Sequence, residues 1–180
     1  MIPKMEFPRP DRQRGDWLNL NGQWEFKLLP DGVGSDAPEG FDRQITVPFS
    51  WVSPLSGVAE NVKGVGWYRR TVSFPVRGRL FLCFGAVDYI AKVYVNGKYV
   101  GAHKGGYNPF SFDITDYIVI GKNRINVTVT DPSNTGDQCR GKQTLNGTGI
   151  WYTPQSGTHL LYHVVERLSR TFFDQFRSNS

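Results

Sequence analysis

The stretch that decides the fold runs from Arg79 to Ile114 and reads RLFLCFGAVDYIAKVYVNGKYVGAHKGGYNPFSFDI. Residues 80–85 are apolar on both faces, a pattern that is typical of an interior strand. Residues 91–96 alternate between apolar and polar side chains, as in a strand that buries one face. Both runs therefore predict β-strands at the centre of the domain.

Turn-forming residues connect these predicted strands. Asn96-Gly97 supplies two residues that tolerate positive φ, which a two-residue type I′ hairpin turn requires. Residues 98–101 then predict the return strand of the hairpin. After Gly105-Gly106, where the backbone can bend without a Cβ clash, residues 110–114 alternate again and predict a further strand.

Five other segments, on both sides of this stretch, form an ordered set with it. They are Leu20–Phe26 (LNGQWEF), Ile45–Trp51 (ITVPFSW), Gly66–Arg70 (GWYRR), Asn126–Asp131 (NVTVTD) and Arg140–Gln143 (RGKQ). In this order and spacing, and together with residues 86–115, they resemble the N-terminal sugar-binding domain of glycoside hydrolase family 2. That family comprises β-galactosidases, β-glucuronidases and β-mannosidases, and the resemblance covers residues 16–157.

The strand pattern and the resemblance agree on an all-β fold class. With 20 glycines and 11 prolines spread along the chain, short strands joined by many turns are expected. The resemblance implies a jelly-roll-like β-sandwich of the galactose-binding-domain type. We therefore divide the chain into an extended N-terminal arm (residues 1–16), a β-sandwich sugar-binding domain (residues 17–157) and an atypical tail (residues 158–180).

The size and composition of the chain suit one domain with a packed core. It has 180 residues, of which 39% are apolar and 14% are aromatic. Large aromatic side chains remove much apolar surface from water when they are buried. The residues expected to be largely buried are Trp24, Phe26, Phe84, Val93, Val95, Phe112 and Val127.

Charge and hydropathy argue against two classes of partner. The net charge is +5, but the basic residues are scattered, with no dense run of Lys and Arg, so no nucleic-acid partner is predicted. No apolar run approaches the ~20 residues needed to span a bilayer, so no membrane partner is predicted either. The opening MIPKMEFPRP has no apolar core and does not resemble a signal peptide. The default expectation is a cytoplasmic location.

The tail departs from the family pattern. After Gln155-Ser156-Gly157, family members typically continue with a Trp-containing strand that ends Val-Trp-Leu-Glu, whereas this chain reads THLLYHVVERLSRTFFDQFRSNS. Its apolar residues recur at helical spacing and predict an amphipathic helix: Leu161, Val164, Val165, Leu168 and Phe172. We expect a truncated, altered or frame-shifted C-terminus. His159 and His163 are four residues apart, but no Cys or acidic ligand stands at matching spacing, so no metal site is predicted.

The polar loop DPSNTGDQCRGKQTLNGTGIWY (residues 131–152) contains the candidate sugar-binding residues. Binding residues commonly lie on loops that a rigid scaffold positions. The candidates are Asp137, Arg140 and Gln143, whose side chains can hydrogen-bond sugar hydroxyls, and Trp151 and Tyr152, whose rings can stack on the apolar face of a sugar.

The resemblance gives this loop a place in a larger enzyme. In the family, this part of the domain approaches an active-site pocket that a separate barrel mainly builds. Many members place an acidic residue just before the Ser-Gly-like pair, but here Trp151–Pro154 hold that place, and Asp137 is the nearest acidic candidate. The alternative is a solvated loop in which Arg140 pairs with Asp131 or Asp137.

Catalysis by this chain alone is not expected. Retaining glycosidases need two carboxyl groups about 5–5.5 Å apart, one acting as acid and the other as nucleophile. The chain has five glutamates, and none follows an asparagine, whereas the acid/base glutamate of the family stands in an Asn-Glu pair on its barrel. No catalytic residue and no cofactor is therefore predicted.

Three hypotheses about function remain open. The first is the N-terminal accessory domain of a family 2 enzyme that hydrolyses β-O-glycosidic bonds, with a carbohydrate and the catalytic barrel as its partners. The second is a free-standing carbohydrate-binding module. The third is a structural sandwich without sugar affinity, which a fold by itself never excludes. The first is favoured because the matching segments are mostly framework residues.

Overall fold

A computed structural model of the chain describes residues 17–30, 37–74, 79–106, 108–130 and 164–167. The strands are β1 (Trp17–Asn19), β2 (Gly22–Pro30), β3 (Arg43–Val47), β4 (Gly64–Ser73), β5 (Leu80–Phe84), β6 (Ile90–Val95), β7 (Lys98–Lys104), β8 (Phe110–Asp113), β9 (Lys122–Thr130) and β10 (Val164–Arg167). Two short 3₁₀ turns span Pro54–Ser56 and Thr115–Tyr117. Within these ranges no helix has the length and apolar character to cross a bilayer.

The strands form two antiparallel sheets that pack against each other. One sheet has the order β1-β10-β5-β8, and the other has the order β3-β2-β4-β9-β6-β7. A single core cluster joins them, with Phe26, Tyr68 and Val127 from the six-stranded sheet and Leu82 and Phe84 from the four-stranded sheet. The predicted all-β, jelly-roll-like sandwich is confirmed.

The hairpin of β6 and β7 has the predicted turn. Asn96 has a φ of 52° and Gly97 a φ of 81°, so both lie in the left-handed region that a type I′ turn requires. The Asn96 side chain holds this turn in place, because its Nδ2 donates to Asn123 Oδ1 at 2.8 Å and its Oδ1 accepts from the Arg124 backbone N–H at 2.9 Å. The predicted interior strand is also present, since β5 lies between β10 and β8.

The helix predicted for the tail is wrong at residues 164–167. These residues form β10, which pairs with β1 through Leu18 and Val165 and with β5 through Leu82 and Val165. A strand here supplies hydrogen-bond partners to the backbone edges of both neighbours, which a helix cannot do. This tertiary pairing, together with the strand preference of the two valines, outweighs the helical spacing of the apolar residues.

Six of the seven residues predicted to be buried are almost fully inaccessible: Trp24, Phe26, Phe84, Val93, Val95 and Val127. Phe112 is the exception, because it is only partly buried and packs against the margin of the core. It lies on β8, an edge strand, with its ring over Gly101 of β7. A Cβ at Gly101 would be 2.4 Å from the Phe112 ring, so this close approach depends on a glycine.

Stacked rings join the two sheets where their edge strands β7 and β8 meet. The Phe110 ring of β8 stacks on Phe84 of β5 with 4.7 Å between centroids, and on His103 of β7 with 4.1 Å. Because β7 belongs to the six-stranded sheet and β8 to the four-stranded sheet, this stack connects their edges.

Candidate functional site

The outer face of the six-stranded sheet carries a mixture of aromatic, amide, hydroxyl and basic side chains. Strand alternation places these residues opposite Tyr68, Val93 and Val127, which are completely buried in the core. The register brings them side by side, because Trp67 is paired with Thr128 and Thr128 with Lys92. The outer face of β4, β9 and β6 therefore presents a continuous polar and aromatic surface.

A surface pocket of about 360 Å³ lies on this face. The lining residues with aromatic or polar side chains are Trp67, Lys92, Tyr94, Asn126, Thr128 and Thr130. Pockets of a few hundred Å³ with aromatic walls and a few polar groups are typical of small-molecule sites. We refer to it as the outer-face pocket.

Aromatic rings form one side of the outer-face pocket. Trp67 and Tyr94 stack with 5.9 Å between ring centroids and an interplanar angle of 21°. The exposed ring of Tyr99 meets Tyr94 edge-on at 5.5 Å. The lining rings belong to non-neighbouring strands, β4 and β6, so they lean towards each other above β9, which lies between those strands.

Two buried polar atoms of pocket-lining residues have no hydrogen-bond partner in the described part of the chain. They are the Nε1 of Trp67, a side chain only 4% exposed, and the Oδ1 of Asn126. An indole N–H donates and an amide oxygen accepts, so the pair provides complementary hydrogen-bonding groups. Buried polar groups are normally satisfied, so these two atoms are exceptions among the described residues; because both are buried, they lie beneath the pocket surface and do not face its opening.

The charge in the outer-face pocket is positive. Lys92 is exposed, and among the described lining residues there is no carboxylate. On the same sheet face, the Arg69 guanidinium donates to both carboxylate oxygens of Glu25, at 2.6 and 2.7 Å. These hydrogen bonds lower the pKa of Glu25, so its charge is already compensated by Arg69. The Lys92 ammonium is left as the charge that a ligand would meet.

The predicted loop residues Asp137, Arg140, Gln143, Trp151 and Tyr152 lie outside the described residues. Thr130, the last residue of β9, lines the outer-face pocket, and residues 131–152 follow it in the sequence. As for metals, the described ranges contain no group of three His, Cys, Asp or Glu side chains that could hold an ion.

The outer-face pocket was not predicted from the sequence. The signal was present, because Lys92 and Tyr94 share the polar face of one strand and Trp67 stands on an alternating face of another. The order of the strands in the sheet could not be predicted from the sequence. The sequence does not show that β9 lies between β4 and β6, which places Asn126 between the strands that carry Trp67 and Tyr94.

The two packed sheets make this chain a jelly-roll-like sandwich domain. Comparison with known families agrees with this class of fold. Residues 18–153 match the model for the sugar-binding domain of glycosyl hydrolases family 2. This match covers most of the chain, and the chain therefore belongs to that family, as the resemblance of its segments indicated.

Similar proteins are considerably longer than this chain. A β-galactosidase from Thermoanaerobacter pseudethanolicus is 36% identical over an alignment of 170 positions that covers 85% of this chain and 23% of that protein. A β-glucuronidase from Bacteroides fragilis is 35% identical over an alignment of 131 positions that covers 70% of this chain and 17% of that protein. The chain thus spans less than a quarter of either relative.

Solved structures give the same result. The Bifidobacterium dentium β-glucuronidase, solved in complex with coumarin-3-O-glucuronide, superposes with a TM-score of 0.57 at 28% identity, over 66% of this chain and 21% of that chain. A family 2 member from Bacteroides cellulosilyticus gives a TM-score of 0.58 at 26% identity, over 84% of this chain and 20% of that chain.

Proposed function

We propose that this chain is the N-terminal accessory domain of an enzyme that hydrolyses β-O-glycosidic bonds, with a β-galactosidase-like parent. The observation that carries the proposal is the match of residues 18–153 to the family's sugar-binding domain. Two relatives with this domain are named β-galactosidase and β-glucuronidase, and the chain corresponds to 23% and 17% of their lengths. The remaining length of such proteins is sufficient for a catalytic domain.

The domain contributes sugar contacts in this proposal, and a catalytic barrel contributes the chemistry. The loop of residues 131–152 orients the sugar, with Asp137, Arg140 and Gln143 as hydrogen-bonding residues. Trp151 or Tyr152 covers the apolar face of the sugar. A hydrogen bond of this kind contributes about 0.5–1.5 kcal/mol net, so one open loop binds a sugar weakly until a barrel completes the pocket.

Two of the described glutamates support a non-catalytic role. Glu25 and Glu60 accept short hydrogen bonds from Arg69 and Arg43, each with a contact of 2.6 Å. A catalytic acid needs a raised pKa, whereas the pKa of Glu25 is lowered by its hydrogen bonds from Arg69. We therefore expect no turnover of chromogenic β-galactosides or β-glucuronides by the purified chain. Turnover that a Glu→Gln substitution in this chain abolishes would contradict this.

A chimera tests the accessory role. Residues 18–153 replace the matching segment of the Thermoanaerobacter β-galactosidase, which is 36% identical to this chain. We expect the chimera to retain β-galactosidase turnover, because the two proteins are 36% identical over their alignment. A chimera with an unrelated β-sandwich of similar size is the control and should be inactive. If both chimeras are equally inactive although folded, the accessory role is wrong for this chain.

A second candidate function is a free-standing carbohydrate-binding module. The observation that favours it is the outer-face pocket, which is lined by aromatic, hydroxyl, amide and basic side chains of this chain. The two functions differ in where a sugar binds and in whether binding needs a barrel.

A further inference from the structure

We infer that Asn96 is a deamidation site whose reactivity the fold controls. The closed hairpin of β6 and β7 protects its side chain, and opening of the hairpin exposes the side chain to an irreversible chemical change. The inference goes beyond the proposed function and does not depend on it, because it concerns a modification of the chain itself. It rests on the pair Asn96-Gly97 and on three hydrogen bonds of the Asn96 side chain.

The first argument is the chemistry of an asparagine that precedes a glycine. The Gly97 peptide nitrogen, after it loses its proton to base, attacks Asn96 Cγ, and the Cγ–Nδ2 bond breaks so that Nδ2 leaves as ammonia with a proton from water. Water then opens the five-membered imide at either carbonyl, which gives aspartate or isoaspartate. Overall, one water is consumed and one ammonia is released. Gly97 has no Cβ to hinder the attack and is exposed, so base and water reach its nitrogen.

The second argument is that the folded hairpin holds the nitrogen that must leave. Asn96 Nδ2 donates to the Tyr117 backbone oxygen at 2.9 Å and to Asn123 Oδ1 at 2.8 Å. The side-chain oxygen of Asn96 accepts from the Arg124 backbone N–H at 2.9 Å. Both N–H groups of the amide are therefore used. Because ring closure expels Nδ2, it breaks both of these hydrogen bonds.

The third argument is that the acceptors are fixed in turn. Asn123 is completely buried, and its Nδ2 donates to the backbone oxygens of Val119 and Gly121, each at 2.9 Å. It lies on β9, which pairs with β6. The Asn96 amide is therefore released when the turn separates from β9. Only such locally opened molecules react, so we expect the folded chain to react at least ~10-fold more slowly than the unfolded chain.

The same contacts prevent the product from restoring the turn. In aspartate, a carboxylate oxygen replaces the donor and faces the two oxygens of Tyr117 and Asn123 that accepted from it. Loss of a donor to partly buried acceptors is costly. In isoaspartate, the main chain passes through the former side chain and is longer by one carbon atom, which the two-residue turn does not accommodate.

The test is peptide mapping by mass spectrometry during incubation at mildly alkaline pH, with the chain folded or unfolded in guanidinium chloride. Trypsin cleavage after Lys92 and Lys98 releases residues 93–98, in which Asn96 is the one asparagine. Asn96 should convert in the unfolded chain and at least ~10-fold more slowly in the folded chain. Equal rates would overturn protection by the fold, and no conversion in the unfolded chain would overturn the site. In the unfolded chain, Gly97→Ala should slow the conversion, because its Cβ hinders the attack.

A pair of variants tests whether the local hydrogen bonds control the reaction. Asn123→Ser removes one acceptor of Nδ2, and Ile45→Val lowers stability on β3, at the far edge of the same sheet. The two folded variants are compared at denaturant concentrations that give them equal stability. We expect Asn96 to react ~2- to 10-fold faster in Asn123→Ser. Equal rates would mean that only global unfolding releases Asn96, and local control would be wrong.

The effect of the product on the fold is measured by urea denaturation of Asn96→Asp and of the purified deamidated chain. We expect both midpoints to be lower than that of the parent by roughly 0.5–2 M. Asn61→Asp makes the same charge change at an exposed position and should leave the midpoint nearly unchanged. Parent-like midpoints for the Asn96 products would overturn the irreversible effect on the turn. If Asn96→Asp does not fold, the deamidated chain and the conversion rates of the parent still decide.

Discussion

Arg70 lies on the inner face of β4, where the neighbouring side chains Tyr68 and Val72 are buried. Its Nη1 donates to the backbone oxygens of Leu20 and, at 2.9 Å, of Asn21. Burial lowers the pKa of this guanidinium, but arginine keeps its charge in proteins. The side chain thus joins β4 to the connection between β1 and β2.

We predict that Arg70→Met destabilises the domain by about 1–3 kcal/mol, because the substitution leaves the Asn21 carbonyl without this donor. The Leu20 oxygen still accepts from Trp24 Nε1 at 2.9 Å. Urea denaturation measures the effect. Arg124→Met, at an exposed position on β9, is the control and should stay within about 0.5 kcal/mol of the parent. Equal effects of the two substitutions would contradict a special role for Arg70.

His103, also at the scale of the residue, makes the free energy of unfolding depend on pH. Its ring stacks on Phe110 at 4.1 Å, its Nδ1 is buried without a partner among the described residues, and burial lowers its pKa from the ordinary value of 6.5. Between the lowered pKa and 6.5, the unfolded chain therefore binds more protons than the folded chain. Stability is then expected to fall as the pH decreases below 6.5.

The measurement is the free energy of unfolding of the parent chain minus that of His103→Gln as a function of pH. This difference should be constant above pH 7 and should fall below 6.5, and subtraction removes the contributions of His159 and His163. A difference that is constant from pH 8 to 5, or that rises on acidification, would show that His103 is not buried in this way.

At the scale of the element, the two faces of β5 differ in burial. Phe84 is 1% exposed and stacks on Phe110, whereas Phe81, on the opposite face of the strand, is partly exposed under Arg79. Phe84→Ala should cost about 3–5 kcal/mol through lost transfer free energy and a cavity. Phe81→Ala is the matched control and should cost clearly less in the same denaturation experiment. A larger loss of stability in Phe81→Ala than in Phe84→Ala would mean that the inner and outer faces of β5 are misassigned.

The pairing of β10 can be tested by a substitution that removes a backbone N–H from the strand. Val165 is paired on both sides, with Leu18 of β1 and Leu82 of β5. Val165→Pro removes an N–H from an interior strand, where proline is not tolerated, and should cost about 3 kcal/mol or more. Val165→Thr keeps the β-branched shape and the N–H, and should cost much less. If the proline variant were as stable as the parent, β10 would not be part of the sheet.

At the scale of the whole molecule, β10 is what makes the four-stranded sheet continuous. Without it, β1 loses its partner and the β5 edge is exposed beside apolar core surface. We predict that deletion of residues 158–180 makes the chain self-associate, which size-exclusion chromatography with light scattering measures. Deletion of residues 168–180 alone is the control and should preserve the parent's behaviour. A truncated chain that remains a stable monomer would contradict the prediction.

The sequence predicted the strands that alternate and the turn that needs positive φ, since both depend on neighbouring residues. Asn96-Gly97 is an example, because its conformation follows from local chemistry. Pairing between distant segments could not be predicted in the same way. The valines of β10 fit a helical spacing, and they form a strand because β1 and β5 offer backbone edges that β10 pairs with. The outer-face pocket also depends on strand order, because Trp67 and Tyr94 are far apart in the sequence.

The position of β10 also constrains how the chain is assembled during synthesis. The N-terminal strand β1 ends at Asn19, and its pairing partner begins at Val164. The ribosome must therefore release nearly the entire domain before the four-stranded sheet can close. Contacts between such distant segments raise the contact order, which slows folding of β-sandwiches to milliseconds or longer. Until then, the nascent chain exposes the inner surface of the six-stranded sheet, and chaperone demand should be highest at this stage.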